Sequence, residues 1–441
     1  MLLVVIDTLS ARHLDAYGYT RVTAPFLSEE AKKGVLFEDV MAAAPFTAPA
    51  MASIFTGLDS MHHGVAGHVA DLKFSRANHT LAEAFHEAGY VTFAVVTNPW
   101  LTQERGYDQG FDRFDQRGTD PAGALGDLLL KRAAQVPAGR PWFAWLHILD
   151  VHMPYRPAPA DRNHFQAGVA DALPIRQFVS HELEADQIFF ATHYPQDEIE
   201  RTRTLYDSAI WSMDAVVRRT VEELRAGAGG PDLITIYTAD HGEALCEHGL
   251  CWSHEFTLYQ ELLSIPWIVR APGRLPEGVR VATTVRAIDE APTVAELAQI
   301  PLAGTVDGVS ALPLARGTVE PSLSPRISFA ESAPYREKYK RNPRIFLPGD
   351  EGRWKSARDG RWKLIVVPKP GGDETELYDL AADPHETKNL AAKQPEEVAR
   401  LRASIDAWVK TRRAAPADDS APPVVTPAEA EQLRSLGYTA K

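Results

Sequence analysis

Asp240-His241-Gly242-Glu243 follows directly on the apolar run at residues 233–237. A carboxylate and an imidazole side by side at the carboxyl end of a buried strand can ligate a divalent cation. In an open α/β sheet that edge is also where ligands bind. Two further runs end in the same way. Asp7 follows Leu2–Ile6, and Asp150 with His152 follows Trp142–Ile148. Each of these acids alone reads as a turn or helix-cap residue, the commoner role. Three strands ending in acid or imidazole at one sheet edge form the layout of an active site.

The nucleophile candidate is Thr47, in Pro45-Phe46-Thr47-Ala48-Pro49-Ala50. Pro49 suits the first turn of a helix running through Ile54 and Phe55, which puts Thr47 at its amino end. Unsatisfied N–H groups and the helix dipole favour an anion there. A hydroxyl beside a metal can lose its proton and attack phosphorus or sulfur. Standing alone, the same Thr would be a plain cap.

The elements that must position these groups alternate along the chain. Leu2–Ile6, Val91–Val96, Trp142–Ile148, 233–237 and 266–269 are short runs rich in branched or aromatic residues. Between them, Tyr206, Ile210, Met213, Val217, Val221 and Leu224 mark one buried stripe of a helix. Alternation of this kind predicts a mostly parallel sheet with helices on both faces. After about residue 335 the pattern changes. Residues 335–344 are basic and polar, Trp354-Lys355 and 362–365 predict short antiparallel strands, and 396–410 predict a helix with Val398, Leu401, Ile405 and Val409 on one face. Residues 414–425, rich in Pro, Ala and Asp, read as a linker-like tail. The expected division is an α/β catalytic domain at 1–335, an antiparallel-sheet-plus-helix subdomain at 336–412 and a tail at 413–441.

With 441 residues, 45% apolar and 24% charged, the chain has the composition of a soluble globular protein with a large core. Its net charge of −13, from 46 basic and 59 acidic residues, disfavours nucleic acid as a partner. No apolar stretch approaches the ~18–20 residues of a membrane span. Residues 1–6 are too short for a signal peptide and read as the first core strand, so the expectation is a cytoplasmic protein or a processed exported form. Cys246 and Cys251 are five apart, which is not a zinc-ribbon pattern. Two unpaired thiols is the favoured reading, with a short-loop disulfide open to an exported protein.

Several segments together resemble the sulfatase family of the alkaline phosphatase superfamily. They are Val4-Val5-Ile6-Asp7-Thr8-Leu9 with Leu14-Asp15-Ala16-Tyr17-Gly18-Tyr19, and Phe55-Thr56-Gly57-Leu58 with His63-Gly64-Val65. Leu146-His147-Ile148-Leu149-Asp150-Val151-His152-Met153-Pro154-Tyr155 is similar to the family's His-x-x-Asp-x-His-x-Pro-Tyr segment. Asp240-His241-Gly242-Glu243 with Glu247-His248-Gly249 and His254 resembles its second metal block. Glu376-Leu377-Tyr378-Asp379-Leu380, Asp383-Pro384-His385-Glu386, Asn389-Leu390 and Ser435-Leu436-Gly437-Tyr438 look like its carboxyl-terminal signature. The resemblance implies an alkaline-phosphatase/sulfatase-like α/β fold with a small C-terminal α+β subdomain. It implies that Asp7, Asp240 and His241 hold one divalent metal with Thr47 as nucleophile and further ligand. It also implies that His152 and His254 contact the substrate's anionic group or leaving oxygen, and that Asn98 lies where many members carry a substrate-binding Lys.

Departures from the pattern refine this. Sulfatases use a formylglycine made from Cys or Ser in a Cys/Ser-x-Pro-x-Arg motif, whereas here Thr47 and Met51 occupy those places. Thr8 and Ser10 stand where a second Asp and an Arg are usual. The expectation is therefore a hydrolase of phosphate, phosphonate or sulfate esters, phosphorus favoured, acting on a small anionic ester. The alternatives are a sulfuric ester hydrolase working without formylglycine and a non-catalytic sulfatase-like binding protein. The mixed ligand set favours Mn²⁺ or Zn²⁺, with Ca²⁺ possible and a second metal not excluded. Specificity for the organic part is expected in loops such as 158–197.

Overall fold

The computed structural model describes residues 1–65, 73–169, 194–318, 326–334, 347, 350–413 and 426–436. The basic stretch 335–344, the tail segment 414–425, Gly437-Tyr438 and residues 170–193 of the specificity loop lie outside the described residues.

The branched and aromatic runs form a nine-stranded sheet. Its first strands are β1 (Leu2–Ile6), β2 (Val35–Met41), β3 (Val91–Val96), β4 (Arg113–Gln116), β5 (Trp142–Ile148) and β6 (Thr235–Thr238). A hairpin of β7 (Ala244–Leu245) and β8 (Cys251–Ser253) intervenes before β9 (Ser264–Arg270), β10 (Val279–Val281) and β11 (Val285–Arg286) complete it. The order is β10-β2-β9-β6-β1-β5-β3-β4, with β11 also on β2. Pairing is parallel throughout except for β9, which runs antiparallel to β2 and β6. The sheet is thus mostly parallel, as expected, with one reversed strand that periodicity cannot reveal.

β1 lies at the centre and is buried along its whole length, which explains its unbroken apolar sequence. Two groups of helices pack on the sheet. One is Pro25–Lys32, Ala122–Ala133 and Gln196–Ala226; the other is Thr47–Thr56, Leu81–Glu87 and Glu290–Ala298. All six residues of the Tyr206–Leu224 stripe are buried within the helix Gln196–Ala226. Among the described residues no helix is long and apolar enough to cross a membrane.

Register sets the site. Val5 of β1 pairs with His147 of β5 and with Thr238 of β6, and Val96 of β3 also pairs with His147. In parallel strands this alignment brings the residues just past Ile6, Val96 and Thr238 to one edge.

The C-terminal part is an antiparallel sheet of β12 (Ser328–Glu331), β13 (Lys355–Arg358), β14 (Trp362–Val367) and β15 (Glu374–Asp379). Helix Pro395–Lys410 crosses it and buries Leu401 and Ile405 against Ala357, Leu364, Val366 and Leu377. Arg358 grips Asp39 of β2 through both guanidinium nitrogens, at 2.8 and 2.5 Å, tying the small sheet to the large one.

Cys246 and Cys251 form a disulfide, which corrects the reading of two free thiols. The physical reason is the hairpin: β7 and β8 pair antiparallel with Leu245 opposite Cys251, so the next residue, Cys246, meets it across the turn. A spacing of five alone does not specify that pairing.

Candidate active site

Asp7 leaves β1, Asn98 follows β3 by two residues, and Asp240-His241 follow β6, all at one edge. Thr47 opens the helix Thr47–Thr56, every residue of which is buried. That helix ends on Gly57 in the left-handed region (φ 68°), where an added Cβ would press on Ile288 O at 3.2 Å.

These groups converge. Asn98 Nδ2 donates to Asp7 Oδ2 at 2.7 Å and to Thr47 Oγ1 at 3.1 Å. Thr47 Oγ1 lies 3.5 Å from Asp7 Oδ2 and 3.4 Å from His241 Nε2. His241 Nδ1 donates to Gly242 O at 2.8 Å, which turns Nε2 toward Thr47 as the acceptor nitrogen. His241 Nε2 is 3.5 Å from Asp240 Oδ2 and 3.9 Å from Asp7 Oδ1. The His241 and His254 rings lie 4.7 Å apart, and His152 and His254 4.9 Å apart. His152 Nδ1 donates to Met153 O at 2.5 Å, and His254 Nδ1 meets Glu243 Oε1 at 3.3 Å. Asp7, Thr47, Asn98, His152, Asp240, His241 and His254 are all buried at this edge.

Two residues hold the site in backbone conformations that non-glycine residues rarely adopt. Asn98 has φ 87° and Thr8 has φ 58°. Thr8 is held there by its own bonds: its N–H donates to Asp240 Oδ1, its hydroxyl to Val151 O, and its carbonyl accepts the Tyr206 hydroxyl. A Thr where an acidic ligand was the usual residue thus acts as a clamp between β1, β5 and the acid of β6.

His147 was not anticipated. It is fully buried, Nε2 lies 3.8 Å from Asp7 Oδ2, and neither ring nitrogen has a hydrogen-bond partner. Asp7, His147 and Asp240 offer ligand atoms all within 4.8 Å of one another. Asp7 Oδ1 and Asp240 Oδ2 are likewise buried without a partner. Its sequence signals are its place as the first His of the His-x-x-Asp-x-His-x-Pro-Tyr segment, to which no role was attached, and as the penultimate residue of an otherwise apolar strand at the ligand edge. Asp150 goes elsewhere: its Oδ2 accepts the Ala122 N–H at 2.9 Å, so it caps the helix Ala122–Ala133.

The electrostatics call for a cation. Burial, then the charge of Asp240, push the Asp7 carboxyl well above the ordinary range. Two carboxylates less than 5 Å apart repel by about 3 kcal/mol even at an effective dielectric of about 20. Burial holds His147 down to about 4 and Glu243 up to about 8, and depresses His152 and His254 well below the ordinary imidazole value. Neutral imidazoles and orphaned carboxylate oxygens around one point are the donor set a divalent metal takes. This buried Asp/His/Asp group can hold a metal.

Comparison with known proteins places the chain in a family. The model of the sulfatase family matches residues 1–300, and that of the N-sulphoglucosamine sulphohydrolase C-terminal region matches 246–413. The chain is 28% identical to bovine (Bos taurus) arylsulfatase K over 214 residues, 47% of this chain but 36% of that protein, so it spans about a third of that relative's length. It is 23% identical to the Δ4,5-hexuronate-2-O-sulfatase of Bacteroides thetaiotaomicron over 446 aligned positions, covering 92% of this chain and 88% of that one. The crystal structure of the phosphonate monoester hydrolase of Agrobacterium radiobacter superposes with a TM-score of 0.74 at 21% identity, covering 93% and 95% of the two chains. On the match over residues 1–300, the chain belongs to the sulfatase family.

Proposed function

We propose that this chain is a metal-dependent hydrolase of small anionic esters that uses Thr47 as its nucleophile and prefers phosphorus over sulfur. The observation that carries this reading is the Thr47 hydroxyl, which opens a buried helix within 3.5 Å of both Asp7 and His241. Position 47 holds neither Cys nor Ser, and both cysteines are joined to each other. Asp7, Asp240 and His241 would hold the metal with Thr47 and, from the geometry, His147. This set of hard oxygens and imidazoles suits Mn²⁺ or Zn²⁺ better than Ca²⁺. When bound, the cation supplies positive charge that favours the Thr47 alkoxide and offsets charge on the transferred group.

The chain's own groups do the rest. The Asn98 amide, fixed by the Trp100 N–H on its Oδ1, donates to Thr47 Oγ1 and stabilises it as it loses its proton. Oγ1 passes its proton to the neutral ring of His152 or His254 as it attacks phosphorus, the bond to the leaving oxygen breaks, and that ring hands the proton on to the leaving oxygen. The anionic substrate, on arrival beside these buried rings, raises their affinity for that proton. Water then cleaves the Thr47 ester and the proton returns.

The rival is a sulfuric ester hydrolase acting without formylglycine, favoured by the relatives named for sulfate esters. The test is one metal-depleted preparation refilled with Mn²⁺, Zn²⁺ or Ca²⁺ and assayed on aryl phosphate, phosphodiester, phosphonate and sulfate esters. Fastest turnover on a phosphorus ester with Mn²⁺ or Zn²⁺ supports the proposal. Fastest turnover on the sulfate ester, or full rescue by Ca²⁺ alone, supports the rival.

A further inference from the structure

The orientation of His241 depends on a turn that rests on the short helix leading into β9. His241 Nδ1 is bonded to Gly242 O, and Gly242 N–H donates to Leu262 O at 2.8 Å. A Cβ on Gly242 would sit 2.0 Å from Glu261 O, so its backbone lies directly on the short helix Gln260–Leu263. Wherever that helix sits, the His241 ring follows.

The helix is anchored from the C-terminal subdomain. Lys363, on β14, is fully buried and pairs with Glu386 at 2.7 Å. Lys363 Nζ also donates to Gln260 Oε1 at 3.1 Å, and Glu386 Oε2 accepts the Gln260 N–H at 2.5 Å. The next residue is held as well: Glu261 Oε1 meets His248 Nδ1 at 2.6 Å, and His248 Nε2 meets Glu386 O at 3.1 Å. Glu386 keeps a left-handed backbone (φ 53°) to make these contacts. A buried ion pair of this kind is often no more stabilising than apolar residues of like volume. Its value here is geometric.

We propose that Lys363 is a positioning residue for the His241 imidazole, acting through Glu386 and Gln260 on the turn that carries Gly242. The inference rests on the reading of His241 as a metal ligand. Its test uses the full-length chain as wild type, Lys363→Met and Lys363→Met/Glu386→Met. The single variant leaves a buried carboxylate unpaired and is expected to be destabilised. The double variant removes both charges, so it keeps the fold.

Two readouts decide. The first is hydrogen exchange of the peptide spanning 239–245 in metal-free protein, with the β5 peptide as internal reference. The second is Mn²⁺ affinity by titration. In the double variant, exchange at 239–245 should rise while β5 is unchanged, and Mn²⁺ affinity should fall by about 10–100-fold, as for lost outer partners of metal-binding histidines. A folded double variant with wild-type exchange at 239–245 and wild-type Mn²⁺ affinity overturns the proposal. Wild-type protein that binds neither Mn²⁺ nor Zn²⁺ would sink the metal reading separately, and the exchange measurement would still decide the role of Lys363.

Discussion

Two clusters in this molecule have the same composition, two aspartates and a histidine, and opposite character. Asp7, His147 and Asp240 are fully buried. Both ring nitrogens of His147 and one oxygen of each acid there lack hydrogen-bond partners. Asp59, His62 and Asp307 are half-buried and their polar atoms are used. Asp59 Oδ1 accepts the Met61 N–H and Oδ2 the Trp408 indole N–H, while Asp307 Oδ2 takes the Asp59 N–H and His62 Nδ1. The second cluster is a seam between the helix Ser60–His63, the loop at 307 and the C-terminal helix. Residue types therefore do not identify a metal centre. What distinguishes one is buried ligand capacity left unspent, because burying it without a partner costs too much to persist unless something fills it.

The largest effect expected from this contrast is on catalysis. Asp7→Asn should lower turnover on the order of 10³-fold or more, the scale of losing a preorganised charge-stabilising group. Asp307→Asn should leave turnover within about twofold, as a half-buried hydrogen-bond partner remote from the site. Equal losses in steady-state assays of the two purified variants would break the comparison.

His147→Ala comes next. It should weaken Mn²⁺ or Zn²⁺ binding on the order of 100-fold, a little beyond the loss from an outer-shell partner. Calorimetric titration reads this directly, and unchanged affinity would return His147 to the core.

A smaller effect concerns pH and the metal-free protein. Glu243 is held up to about 8 in the fold, against an ordinary 4.5, chiefly by burial. The folded chain therefore keeps a proton that the unfolded chain has released, and stability falls as pH rises toward 8. His147, held down to about 4 by burial, contributes the opposite slope only below its unfolded value of 6.5. Glu290, also held up to about 8 by burial, adds the same slope, while the buried amino terminus, held down to about 5 from an ordinary 8.0, opposes it; between pH 6.5 and 8 the two carboxyls outweigh the one amine, and metal-free protein should lose about 1–2 kcal/mol. Thermal melts in chelator across that window check the sign, and a rise in melting temperature would contradict it.

The smallest effect is at the seam. His62→Ala should cost about 1 kcal/mol of stability through its lost bond to Asp307 and leave metal content unchanged. Metal analysis and a denaturant titration on one sample would show both.

Much of this was legible because local pattern and global edge coincide. β1, β3 and β5 begin and end where the apolar runs do, and Asp7, Asn98 and Asp240 follow strands whose parallel pairing puts their ends together. The helix start at Thr47 was announced by Pro49. His147 leads the His-x-x-Asp-x-His segment, but its role was not legible because a histidine among apolar residues also reads as core, which is the place His63 takes at the end of its short helix: it bonds Ser53 Oγ at 3.1 Å and the Val65 N–H at 3.0 Å. Only partners some 140 and 93 residues away, Asp7 and Asp240, tell the two apart. The reversal of β9 and the disulfide were hidden for the same reason, since strand direction and hairpin register are set by tertiary pairing.

The central claim is that the Thr47 hydroxyl attacks the ester. The most direct measurement is acid-quenched turnover of metal-loaded wild type, Thr47→Ser and Thr47→Ala, followed by mass mapping of the peptide containing position 47. The account predicts a phosphoryl adduct on residue 47 in wild type, partial activity with an adduct in Thr47→Ser, and neither adduct nor turnover in Thr47→Ala, with metal binding weakened but retained. Wild-type turnover by Thr47→Ala would contradict it, leaving Thr47 a helix cap and assigning attack to water.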